Sequence, residues 1–333
     1  MAVSAPISGR RLVDLRQLNV ADFQPLLEEE VACWSRLLHW DFSASASMLT
    51  RYAGYRALDG LALLDGAEMA GYCYWVVEGR KALIGDVFVR PAWQSLLVEN
   101  TLLRGALDTL SGWPDLTAQA GLPATGWVHR IEAQLMLLNM HGPQVLPQGP
   151  APATFRRFFM IGDLEPSIRL RPIEPPPGFR YERWNPTMAR DLAGLIENSY
   201  RGHIDSQIND QYRTFDGAKR FLDNITNYPG CGVLKPAASW VLIDPAGCPQ
   251  GLALCTSVAP CTGHVAQICV TPALRGAGAG YELMRRAMTS LLAEGLSEAS
   301  LTVTAANGRA LAMYQRLGFR TVREFDAFVW ESA

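Results

Sequence analysis

A chain of 333 residues, 49% hydrophobic and 19% charged, has material for two packed domains with ample core. Its formal net charge of −2 gives no electrostatic case for a nucleic-acid or anionic-membrane partner. The seven scattered cysteines contain no C-x-x-C pair, and no stretch is long and clean enough for a membrane span or a secretory leader, so reduced thiols and a cytoplasmic location are expected.

In chain order, Asp65-Gly66 marks a hairpin turn, and Val87-Phe88-Val89 ends an apolar strand before Pro91. A helix through Leu102–Leu110 follows, then a strand Arg130–Leu137 and Asn139. Past His141-Gly142-Pro143 and a proline-rich stretch, Phe155–Met160 reads as a closing strand. Residues 166–178, PSIRLRPIEPPPG, hold five prolines, which disfavour helix and predict an extended linker. Beyond it, 198–212 is dense in hydrogen-bonding groups, and Tyr200, His203, Asp205 and Asn209 are candidates to bind a polar acceptor. For any one of them a solvated capping loop is the competing reading.

Residues 264–280, HVAQICVTPALRGAGAG, run from an apolar strand into a glycine-rich turn. Met284, Ala287, Met288, Leu291 and Leu292 then recur at helical spacing. A helix starting at Gly276, Gly278 and Gly280 aims backbone N–H groups and its positive end at a phosphate. Residues 300–319, SLTVTAANGRALAMYQRLGF, predict a strand, an Asn307 cap, a helix carrying Tyr314, and a stop at Gly318. Phe325–Trp330 reads as a closing strand.

The chain also repeats itself. Without a gap, Val87 to Trp93 lies over Ile268 to Leu274, and Leu102–Leu110 over Leu283–Leu291. Where the second copy has Arg275, Gly278 and Gly280, the first has Gln94, Leu97 and Glu99, which would obstruct or repel an anion.

The spacing Arg275-x-x-Gly278-x-Gly280, followed by Asn307-x-x-Ala310-x-x-x-Tyr314-x-x-x-Gly318-Phe319, resembles the GCN5-related N-acetyltransferase (GNAT) family over most of 179–333. The resemblance implies two tandem mixed α/β domains, each a mainly antiparallel central sheet flanked by helices. It implies a β-α-β crossover carrying the coenzyme A pyrophosphate turn, with the two parallel strands splayed apart for the acyl-pantetheine arm. Residues 1–165 are expected to be a degenerate copy without a cofactor site, 166–178 a linker, and 179–333 the catalytic domain. The first copy is expected to pack on the second as an intramolecular pseudo-dimer, an arrangement compatible with a monomer, and to wall one side of the acceptor site.

Acetyl-CoA is the implied co-substrate, a small-molecule amine the acceptor, and no metal is called for. Ile268, Cys269, Val270, Arg275, Gly276, Ala277, Gly278, Ala279, Gly280 and Asn307 are the implied cofactor-binding residues. Tyr314 matches the family's general acid, since a phenol with pKa near ~10 can protonate a departing thiolate. The strand position where many members carry an acid holds Gln267. His264, which period-2 alternation would set on one face with Ala266, Ile268 and Val270, is a candidate base. A strand-end His264 with no role, His203 as base, and a water chain are the alternatives. So are another acyl-CoA donor, a protein lysine acceptor, and a non-enzymatic acyl-CoA-binding regulator.

Overall fold

The computed structural model describes residues 9–111, 128–139 and 151–331. The proline-rich stretch expected after His141-Gly142-Pro143 lies outside the described residues. Two compact units emerge. The first takes residues up to Ser35, Phe42–Phe155 and those from Phe325 on; the second takes Arg36–Asp41 and Arg156–Glu324.

The first unit contains β1 (Arg10–Asp14), most of α1 (Val20–Leu38), α2 (Ser43–Gly54), β2 (Gly60–Asp65), β3 (Glu68–Glu78), β4 (Lys81–Val89), α3 (Leu96–Ser111) and β5 (Arg130–Gln134). Its strands pair in the order β1-β2-β3-β4-β5, antiparallel except for β4 with β5. The Asp65-Gly66 turn joins β2 to β3, with Gly66 at φ 62° where a side chain would be strained.

The second unit is built from β6 (Ala153–Asp163), β7 (Arg180–Arg183), α4 (Ala189–Tyr200), α5 (Asp205–Ile208), α6 (Phe215–Asn227), β8 (Val233–Leu234), β9 (Trp240–Ile243), β10 (Pro249–Ala259), β11 (Thr262–Val270), α7 (Ala279–Ala293), β12 (Glu298–Thr304), α8 (Gly308–Arg316) and the start of β13 (Arg320–Glu331). Its order is β7-β9-β10-β11-β12, again antiparallel except for the last pair. The pairing pattern of the first unit is thus repeated strand for strand. Leu283, Met284, Ala287, Met288 and Leu291 on α7 are all 0% exposed, each leucine or methionine burial contributing ~1.5–3 kcal/mol. Gly295 ends α7 at φ 89°, and Leu296 N–H reaches back to the Leu291 carbonyl.

The sixth strand of each sheet comes from the other half of the sequence. Ala327 to Glu331, the end of β13, pair antiparallel with Gln134 to Arg130 of β5 in the first unit. Arg157 to Asp163 of β6 pair with Thr304 to Glu298 of β12 in the second. Both closing strands therefore form where the sequence predicts them, but each completes the opposite sheet. Period-2 patterning identifies a strand, not its partner. The linker departs from expectation at its start, where Glu165–Arg169 form a 3₁₀ turn with Pro166 in its first turn, where no N–H is needed. No helix among the described residues is long and apolar enough to cross a membrane.

Candidate active site

The glycine turn sits between β11 and α7. Gly276 and Gly278 both hold φ 85°, a conformation other residues resist, and Gly278 is the N-cap of α7. Gly280 lies inside the helix; a Cβ there would make ordinary contact 3.8 Å from Met313 Sδ, so the fold itself does not require glycine at this position. The turn offers open backbone at a helix N-terminus, and its residues fit a pyrophosphate.

β11 and β12 are paired only at Thr262–Glu298, Gly263–Ala299 and His264–Ser300. Beyond that point they part, and β11 is bulged: Leu254 and Cys255 of β10 face Gln267 and Val265, leaving Ala266 as the extra residue. A cleft of about 690 Å³ opens in the gap. Ile268, Cys269 and Val270 line it from β11, and Arg275, Gly276, Gly278 and Gly280 from the turn. Asn307, Ala310, Met313 and Tyr314 line it from α8. Ala277 and Ala279 belong to the turn without lining the cleft.

Asn307 caps α8, its Oδ1 accepting from Ala310 N–H at 3.4 Å. Gly318 at φ 92°, with Phe319 N–H on the Tyr314 carbonyl, closes it. Tyr314 is 5% exposed, and no hydrogen bond joins its hydroxyl to another described residue. Burial, then the nearby Asp205 charge, pushes its pKa above the usual phenol value, so it is a protonated donor throughout the neutral range.

Gln267 is clamped on the other side of β11. Its Nε2 donates to Tyr200 Oη at 2.9 Å, and its Oε1 accepts from Tyr212 Oη at 3.3 Å. Tyr200 Oη donates onward to the Ile268 carbonyl at 3.3 Å, while its ring stacks on Tyr212 at 4.2 Å. An amide between two phenols, whose pKa values burial raises, is a rigid brace with no group that titrates near neutrality.

Of the acceptor candidates, Tyr200 and His203 line the cleft. Asp205 and Asn209 do not: Asp205 accepts from the Thr304 hydroxyl at 2.5 Å, and Asn209 caps the turn after α5 through Gln211 N–H at 3.0 Å. His203 Nε2 lies 3.4 Å from Asn307 Nδ2, and its Nδ1 lies 3.2 Å from Asp205 N and 3.7 Å from Asp205 Oδ2. Burial, and to a lesser degree Arg275, lowers its pKa and keeps the imidazole neutral against the opposing pull of Asp205.

His264 sits elsewhere. Gly263 faces Leu291 of α7 and Val265 packs in the same core, so His264 points to the opposite face of β11. Ile268 and Val270 pack on the α7 side, because the bulge at Ala266 reverses the alternation. The expected alignment of His264 with Ile268 and Val270 is therefore not found. His264 lies where the strands are still paired, between Trp40 (4.9 Å) and Phe159 (6.2 Å), with Nδ1 2.9 Å from Ser300 Oγ. Burial pushes its pKa down to about 4, and it does not line the cleft.

Two contributions to the cleft lie outside the sequence motifs. Arg309, Met313 and Arg316 line the cleft from one face of α8, at a spacing of four and then three residues that helical periodicity could have flagged. Ile173 of the linker also lines it, with no local signal. In the first unit the counterpart of Gly280 is Glu99, 2% exposed, whose Oε1 accepts from both Asn139 N–H and Asn139 Nδ2 at 3.1 Å.

A six-stranded mixed sheet whose parallel pair parts, with a glycine turn at a helix N-terminus and a buried tyrosine lining the same cleft, is the arrangement that the resemblance to acyl-CoA-dependent N-acyltransferases implies. A sequence profile of the Acetyltransferase (GNAT) family matches residues 205–319. A mycothiol acetyltransferase from Thermobispora bispora is 30% identical over 275 residues, covering 81% of this chain and 82% of the relative. A GCN5-related N-acetyltransferase from Sphaerobacter thermophilus superposes with TM-score 0.64 at 16% identity, over 97% of this chain and 96% of its own. A tandem GNAT protein from the clavulanic acid biosynthesis pathway gives TM-score 0.52 at 15% identity, over 97% and 99%. The chain belongs to the GNAT acetyltransferase family.

Proposed function

We propose that the second unit transfers the acetyl group of acetyl-CoA to a primary amine of a small polar acceptor by direct attack. The observation that carries this reading is the cleft where β11 and β12 part, bounded at one end by the glycine turn and flanked by Tyr314. Bound acetyl-CoA supplies the activated thioester.

The backbone N–H groups after Gly276 hold the diphosphate, and the edge of β11 orients the pantetheine arm. His203, the imidazole lining the cleft, takes the proton from the attacking amine, and Asp205 at 3.7 Å faces the charge this creates. Tyr314 delivers a proton to the leaving sulfur. Only this unit is active, because the first unit's equivalent seat is taken by Glu99 and Asn139. None of the seven cysteines forms a disulfide, which supports a cytoplasmic setting.

The test is thiol release from acetyl-CoA across a panel of amines, with a mycothiol-type acceptor first because of the relative's activity. Acceptor-dependent release is expected. Coenzyme A binding with no release for any amine would leave a binding protein instead.

A further inference from the structure

We infer that the segment ahead of β7 is a working wall of the cofactor cradle, with Ile173 as the wall and Glu282 as the positioning residue that fastens it. This rests on the coenzyme A reading above. A turn built on two glycines at φ 85° is loose by itself, since glycine loses most freedom when fixed. Here something leans on it: a Cβ on Gly278 would meet Ile173 Cδ1 at 2.9 Å and Cγ2 at 3.2 Å.

The segment is tied at two points. Tyr281 Oη donates to the Arg171 carbonyl at 3.1 Å, and Ile173 N–H donates to Glu282 Oε2 at 3.0 Å. Glu282 also donates its own N–H to the Gly278 carbonyl at 3.0 Å. One residue therefore holds both the turn and the strap that covers it.

A buried carboxylate one turn into α7 would by itself oppose an incoming phosphate. Glu282 is 0% exposed, but it is paired with Arg285 at 2.8 and 2.7 Å and with Arg286 at 2.8 Å. Its charge is cancelled locally, which leaves it free to act as a fastener. Burial pulls its pKa upward, yet the bonds from Arg285 and Ile173 N–H with the arginine charges hold it below the usual carboxylate value. The strap thus presets the turn, so binding has less ordering left to do.

The test uses the full chain and coenzyme A, with titration calorimetry for affinity and thiol release for turnover. Ile173→Ala and Glu282→Ala are each expected to weaken coenzyme A about tenfold, with kcat at saturating acetyl-CoA within about twofold of wild type. The double variant should be little worse than either single one, because both remove the same device. Glu282→Gln, whose amide oxygen can still accept from Ile173 N–H, should recover most of the affinity. Should Glu282→Ala fail to fold, Ile173→Ala carries the test alone, since that residue is already 38% exposed. Wild-type affinity in Ile173→Ala overturns the inference, and so does tighter binding, which would make Ile173 a plug. A wild-type protein that binds no coenzyme A would instead refute the underlying reading.

Discussion

Cutting the chain at its apparent repeat boundary should destroy the second unit. The fragment 166–333 looks like a whole domain in sequence but lacks β6. Phe159, Met160 and Ile161 on that strand are each 0% exposed, and Arg157 to Asp163 pair along β12 from Thr304 to Glu298. At ~1.5–3 kcal/mol per buried side chain, losing the three removes about 5–9 kcal/mol, against total domain stabilities of about 5–15. The fragment also keeps Phe328 and Trp330, buried against β5 in the first unit, with nothing to cover them. Expressed alone, 166–333 should aggregate or melt without cooperativity. The fragment 151–324 regains β6 and drops the orphaned strand, so it should be the better folded of the two. Circular dichroism melts and calorimetry with coenzyme A decide the matter. A 166–333 fragment that melts cooperatively and binds coenzyme A with full-length affinity would show that β6 is dispensable.

Tyr314→Phe removes a hydroxyl with no hydrogen-bond partner among the described residues, so it should leave the melting temperature and coenzyme A affinity unchanged while lowering kcat ~10²-fold or more; a normal kcat would end the general-acid assignment. His264, with a pKa of about 4 in the fold and ~6.5 when unfolded, binds fewer protons folded, so its contribution is present above ~6.5 and lost as pH falls toward 4. Denaturant melts should lose about 3 kcal/mol over that window, and His264→Gln should flatten the slope without abolishing activity at pH 7; an unchanged slope would contradict the burial argument. Glu99→Ala should destabilise the protein by ~1–3 kcal/mol through loss of the two bonds from Asn139, with coenzyme A stoichiometry still one per chain; two sites by calorimetry would refute the single-site reading.

Local features were the most legible. The strand into the glycine turn, α7, β12 and the Asn307-capped helix ending at Gly318 all follow from periodicity and caps, within a residue or two at most ends. What depends on partners was not. The exchange of β6 and the end of β13 leaves no trace in hydrophobic patterning, because either partner buries the same face. The face of His264 was misread for a related reason: one extra residue at Ala266 inverts the alternation, and nothing in HVAQICV announces a bulge. The clamp of Tyr200, Gln267 and Tyr212 joins residues 55 and 67 positions apart, beyond any motif.

Glu99 in the first unit is an occupant that the chain carries for itself. A tethered carboxylate never dissociates, so its effective concentration at Asn139 is fixed by the backbone rather than by supply. A free ligand at the second unit instead adds stability that grows with its concentration over Kd. With coenzyme A held only there, as proposed, the two halves of one chain would respond differently to the cofactor pool, the first at constant stability and the second hardening as the pool rises.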